Sequence, residues 1–106
     1  MSSTRARGRA TERKVKRWLE AQGYDVQLAP MPSRWARQTD MWGLWDAVAV
    51  REDKILYIQV KMNRSHTYGK ALDAHRAWKC PPCAEKLLIL WEPRKRLPEI
   101  IILQSV

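Results

Sequence analysis

Asp46, Gln59 and Lys61 are the residues of this chain whose types and spacing can do chemistry together. They lie in Asp46-Ala47-Val48-Ala49-Val50 and in Ile55-Leu56-Tyr57-Ile58-Gln59-Val60-Lys61, joined by the polar run Arg51 to Lys54. The first segment is small, apolar and rich in valine. The second alternates, with Leu56, Ile58 and Val60 on one face and Ile55, Tyr57, Gln59 and Lys61 on the other. Folding this hairpin about Glu52 and Asp53 sets Asp46 opposite Gln59, where facing Cβ atoms lie about 5 Å apart. Lys61 follows two residues on, on the same face. A carboxylate, an amide oxygen and a lysine at one point suit a divalent cation with a positioned positive charge beside it. The alternative is a half-exposed sheet face carrying ordinary polar side chains. Register decides between them, since a one-residue slip sends every side chain to the other face.

The elements that must position these residues follow from the rest of the chain. A helix is expected from about Gly8 or Thr11 to Gln22, with Val15, Trp18 and Leu19 as its buried stripe and Gly23 as its stop. Glu12, three positions before Val15, extends that stripe toward the helix start. An inward-facing acid there is either a helix-dipole contact or a further oxygen ligand aimed at the sheet. Tyr24 to Ala29 alternates as a strand, stopped by Pro30 and Pro32. The irregular stretch 31–44 holds Ser33, Arg34, Trp35, Arg37, Asp40 and Trp42. Arginine with tryptophan suits nucleic acid, cations meeting phosphates and rings stacking on exposed bases. The competing reading lays both tryptophans over the core edge.

Asn63 to Lys70 is a polar connection with Arg64, His66, Tyr68 and Lys70 that directly follows the Gln59/Lys61 strand end, so its charges are expected near the same site. Ala71 to Lys79 reads as a second helix with Leu72, His75 and Trp78 along one side, His75 being a packed or surface histidine. Glu85 to Trp91 and Glu99 to Leu103 are nearly continuous apolar runs, expected as strands buried on both sides. Helix, three strands, helix, two strands predicts an α/β fold with a central mixed five-stranded sheet flanked by helices.

The chain's 106 residues suit one domain, 1–106, with residues 1–10 as a basic N-terminal arm carrying Arg5, Arg7 and Arg9. Lysine and arginine number 20 against 11 acids, a net charge of +9 that calls for a polyanionic partner. Nucleic acid is the first candidate and an acidic membrane surface the second. No membrane-spanning run, amphipathic membrane helix or secretory h-region supports the second, so an intracellular protein is expected. Cys80-Pro81-Pro82-Cys83 supplies half of a zinc site, and His66 and His75 do not complete it at a standard spacing. Structural thiols in a reducing compartment are the preferred reading.

Gly8-Arg9-Ala10-Thr11-Glu12-Arg13, Gln22-Gly23-Tyr24-Asp25-Val26, Asp46-Ala47-Val48-Ala49-Val50 and Ile58-Gln59-Val60-Lys61 together resemble the PD-(D/E)XK nuclease core. Within that superfamily they most resemble the archaeal-type Holliday junction resolvases, which also occur in viruses. The resemblance covers about Gly8 to Lys79, and the last strands loosely. It implies a restriction-endonuclease-like core and a homodimer in the cytoplasm of a prokaryotic cell or an infected host. Its substrate would be a four-way DNA junction, cut on two opposed strands with Mg2+, or Mn2+ in its place, and with no small-molecule cofactor. By position, Glu12, Asp46 and Gln59 would hold the metal, joined by the Val60 carbonyl. Lys61 would orient or activate water, and Ser33 would assist. Arg5, Arg7, Arg9, Arg13, Arg34, Arg37, Arg64 and Lys70 are the expected DNA-binding cations.

The sequence departs from the family at Gln59, where a glutamate is usual, and in the long loop that brings Asp40 forward as a replacement or additional ligand. Two other functions stay open. One is a related nuclease acting on linear, nicked or flapped DNA. The other, favoured by Gln59, is a DNA-binding module with a weakened catalytic core.

Overall fold

The computed structural model describes residues 4–30, 40–64 and 72–104. Helix α1 (Thr4–Glu20) leads to strands β1 (Asp25–Leu28), β2 (Ala47–Arg51) and β3 (Lys54–Lys61). A short helix α2 (Asp73–Ala77) and strands β4 (Ala84–Leu90) and β5 (Glu99–Gln104) complete the order. The strands form one sheet in the order β1-β2-β3-β4-β5. Only β3 and β4 are parallel. Antiparallel neighbours can be joined by a tight turn but parallel ones need a crossover, and α2 lies on that crossover. The class is therefore α/β, with a mixed open sheet.

The β2–β3 hairpin pairs Ala47 with Ile58 and Arg51 with Lys54, the register expected from its alternation. Glu52 and Asp53 form the two-residue turn. On one face, Leu56, Ile58 and Val60 of β3 join Leu87 and Ile89 of β4 and Val15 and Leu19 of α1 in the main core. Ala47 and Ala49 are fully buried in the same cluster. Their small side chains leave room for the helix to lie close to the sheet. Each large aliphatic side chain buried here contributes about 1.5–3 kcal/mol.

Helix α1 begins at Thr4, ahead of the start expected at Gly8 or Thr11, so residues 4–10, read from the sequence as a basic arm or a frayed helix start, are helical. Arginine and alanine are among the better helix formers, and one glycine costs about 1 kcal/mol, which this run absorbs. The helix stops as expected at Gly23, whose φ is +94°. The Tyr24 N–H donates to the Leu19 carbonyl (3.2 Å) and the Gly23 N–H to the Glu20 carbonyl (3.0 Å). This pair of bonds is a Schellman motif.

β4 is buried on both sides, as its apolar run predicts. β5 is not. It is an edge strand, and Ile100 and Ile102 are 44% and 58% exposed. Helix α1 covers the β1 to β3 side of its face, leaving an apolar groove lined by Trp18, Leu87, Ile100 and Ile102. No helix among the described residues is long and apolar enough to cross a membrane.

Strand directions gather the ends of β1 and β3 and the start of β2 at one end of the sheet. The N-terminal half of α1 reaches that end, where the Arg9 guanidinium donates to the Ala29 carbonyl at 2.7 Å.

Candidate acidic site at the sheet end

Extending the β2–β3 pairing one step past Ala47 and Ile58 sets Asp46 beside Gln59. The chain bends at Asp46 instead of continuing flat. Its N–H donates to the Ile58 carbonyl at 2.9 Å, and its own carbonyl accepts the Ala29 N–H at 2.8 Å. Its carboxylate accepts the Val60 N–H at 2.8 Å. Asp46 thus ties β3 to the chain leaving β1 while remaining only 6% exposed. Burial pushes its carboxyl up to about 8 against the pull of the Val60 N–H. The charges of Asp40 and Glu12, and a hydrogen bond with the Asp40 side chain, add to the rise. A carboxyl held neutral by loss of water and by two neighbouring acids marks a place short of positive charge.

Glu12 projects from α1 toward this point. Its carboxyl is also raised by burial, opposed by the Arg9 guanidinium 3.0 Å away. Arg9, expected to meet phosphate, is therefore held between Glu12 and the Ala29 carbonyl. Gln59 is 7% exposed, and its Oε1 lies 3.4 Å from Nε2 of His75. The same nitrogen is 2.9 Å from the Leu44 carbonyl, so an Nε2–H there faces two acceptors. Burial lowers the His75 pKa, and the charge of Lys61 lowers it further. His75 is a packed histidine, as its place on the second helix predicts. Lys61 is half-buried and has no ion-pair partner among the described residues.

Of the remaining expected cations, Arg13 is exposed on α1. Arg64 forms ion pairs with Glu99 at 2.9 Å and Glu92 at 3.6 Å. The backbones of Arg5 and Arg7 belong to α1, but their side chains lie outside the described residues, as do Ser33, Arg34, Arg37 and Lys70 entirely. Among the described residues no group of three or more His, Cys, Asp or Glu side chains could hold a metal ion. Cys80 and Cys83 are free thiols, and Cys80 Sγ accepts from Gln104 Nε2 at 3.1 Å.

Two groups carry more weight than the sequence assigns them. Asp40 enters as a supplementary acid, yet its side chain touches Asp46. Lys86 is fully buried, and its ammonium donates to the carbonyls of Arg76 (3.0 Å) and Trp78 at the end of α2. A cation there answers the unpaired carbonyls of a helix C-terminus. The one signal for it was a lysine inside an otherwise apolar strand. Around it, Trp42, Trp45, Tyr57, His75 and Trp78 form an aromatic cluster with ring centroids 4.9–6.0 Å apart.

No protein-family model matches this sequence, and a search of curated proteins finds no match.

Proposed function

We propose that this chain is a PD-(D/E)XK-type, magnesium-dependent endonuclease that resolves four-way DNA junctions. The observation that supports the reading is the buried Asp46 carboxylate, bonded to the Val60 N–H on the strand that bears Gln59 and Lys61 and raised by the charges of Asp40 and Glu12. The donors are hard oxygens, which suit Mg2+ or Mn2+. Asp46, Glu12, the Gln59 amide oxygen and the Val60 carbonyl would hold it, with Asp40 as the further acid. The metal, when bound, polarises the phosphodiester and lowers the pKa of water.

The chain's own groups do the rest. Lys61 offers a cation to the charge that builds on phosphate and orients the attacking water. Arg9 keeps Glu12 turned toward the sheet end. The net charge of +9 draws in the DNA backbone. A second copy supplies the second cut, since two opposed strands need two sites related by a two-fold axis. The exposed Ile100 and Ile102 on edge strand β5 make that edge the proposed contact.

One observation favours a weakened DNA-binding module: the Gln59 oxygen faces His75. A single assay separates the readings. The protein is incubated with magnesium and either a labelled four-way junction or a linear duplex of the same sequence. Paired cuts in the junction support the resolvase. Equal cutting of both supports a nuclease for linear, nicked or flapped DNA, and binding without cutting supports the module.

A further inference from the structure

The turn just before Asp46 carries a residue that its backbone does not suit. The Leu44 N–H donates to the Met41 carbonyl at 3.0 Å, closing a four-residue turn. Both central residues have positive φ, +54° at Trp42 and +73° at Gly43. Positive φ at both positions is the signature of a type I′ turn, which favours Asn-Gly or Gly-Gly. Gly43 fits. Trp42 does not, because a bulky side chain in the left-handed region is a genuine outlier.

Packing does not account for the tryptophan either. Its ring leans on Trp78 at 5.2 Å and Tyr57 at 6.0 Å, yet the residue is 64% exposed. Trp45, in the same cluster, is fully buried. Strained residues that neither the turn nor the core requires cluster at binding sites. The position of Trp42 gives that strain a use. It lies two residues from Asp40, whose side chain hydrogen-bonds Asp46, and its exposed ring packs on Tyr57, two residues before Gln59 on β3. Trp78 and Tyr57 behind it fix its tilt. The chain's net charge of +9 suits a polyanion, and the exposed ring suits one whose parts have flat faces.

We infer that Trp42 is a stacking platform for an unpaired nucleobase of DNA held at the acidic site, and so selects distorted or branched DNA over continuous duplex. Base–aromatic stacking is tolerant of sequence and needs only an exposed π face. A base inside a continuous duplex has both faces covered; one at a branch point can be splayed out. The inference rests on DNA being the substrate, and Trp42 here sets specificity without acting on the phosphodiester.

The test uses the full chain without divalent metal. A four-way junction carrying 2-aminopurine beside the branch point and a fully paired duplex are titrated with wild type, W42F and W42N. Asparagine suits the turn and removes the ring; phenylalanine keeps a ring. Wild type and W42F should quench the 2-aminopurine. W42N should not, and it should bind the junction about tenfold or more weakly while holding duplex affinity. Its circular dichroism should match wild type. Quenching that persists in W42N, or an equal loss on both DNAs, overturns the inference. So does a W42N that fails to fold, since the ring then belongs to the core. Cleavage is scored separately with magnesium: wild type that quenches but never cuts sinks the nuclease reading alone, and a W42N with wild-type junction preference sinks the stacking platform alone.

Discussion

Along β3, Leu56, Ile58 and Val60 meet helix α1, whereas Tyr57 and Gln59 meet Trp78 and His75. The first face is aliphatic and closely packed. The second interleaves aromatic rings with an amide, the buried ammonium of Lys86 and a histidine. The acidic site lies where these faces end, at the bend of Asp46. Stability is thus concentrated on one face, and polar chemistry on the other and at its margin. An apolar contact loses little when a neighbour moves slightly. A buried charge or amide depends on each partner staying within hydrogen-bond reach.

The comparison breaks most sharply at Asp46. Asp46→Asn should abolish cleavage while leaving junction binding largely intact, since affinity comes from many cations. The same substitution should raise the stability of the metal-free protein at alkaline pH. In the folded chain the carboxyl is raised to about 8 from 3.8, so its protonated form is favoured on folding. Stability from this group is therefore fully present below pH 3.8 and is lost as pH rises toward about 8. Thermal melts of both proteins from pH 4 to 9 should diverge upward, the Asn variant being the flatter. Parallel curves would remove Asp46 as the buried acid. Near wild-type cleavage would pass its role to Asp40.

On the opposite face, Ile58→Ala should cost about 2–5 kcal/mol in urea unfolding, the usual loss for a fully buried isoleucine. Its magnesium requirement at a temperature where it is folded should match wild type. A changed requirement would mean the two faces are not separable. Gln59 offers a finer probe. Gln59→Glu should lower the magnesium concentration for half-maximal cleavage by adding negative charge, and Gln59→Ala should raise it. The Glu variant also sets a carboxylate where an amide oxygen now lies 3.4 Å from His75, so the His75 pKa should rise in an NMR titration. An unchanged metal requirement in both variants would make Gln59 a sheet residue. Smallest is Gly23→Ala, far from the site. The added methyl would meet Arg51 at an ordinary 3.8 Å, so the cost is the backbone's, about 1–2 kcal/mol at this φ. Cleavage should be unaffected.

The α1 face was largely legible in the sequence because local rules govern it. Alternation in β3 and the spacing of Val15, Trp18 and Leu19 each require only neighbours in the chain. The β2–β3 register, from Ala47 opposite Ile58 to Arg51 opposite Lys54, was legible for the same reason, the two-residue turn at Glu52 and Asp53 fixing it. Asp40 carried no periodic signal, sitting at the end of an irregular stretch, so only its charge drew notice. Lys86 answers helix-end carbonyls that are distant until the crossover folds back. β5 read as buried because its composition matches β4, but composition does not say which strand is last in the sheet. The bond from Arg9 to the Ala29 carbonyl carried no local signal, since the two lie twenty residues apart.

The sheet order is also the order of the strands along the chain, and that has a kinetic consequence. Each strand pairs with the one made just before it, so no strand must wait to be inserted between two others. The β2–β3 hairpin closes over two residues, and hairpins of that kind form in about 1–10 μs. The parallel β3–β4 pairing closes a far longer loop and meets the larger entropic barrier. Substitutions at the β3–β4 junction should therefore slow refolding in stopped-flow measurements, with transition-state contacts concentrated there. The loop entropy of the crossover, more than the strength of any strand, would set how quickly a newly made chain becomes able to hold its site together.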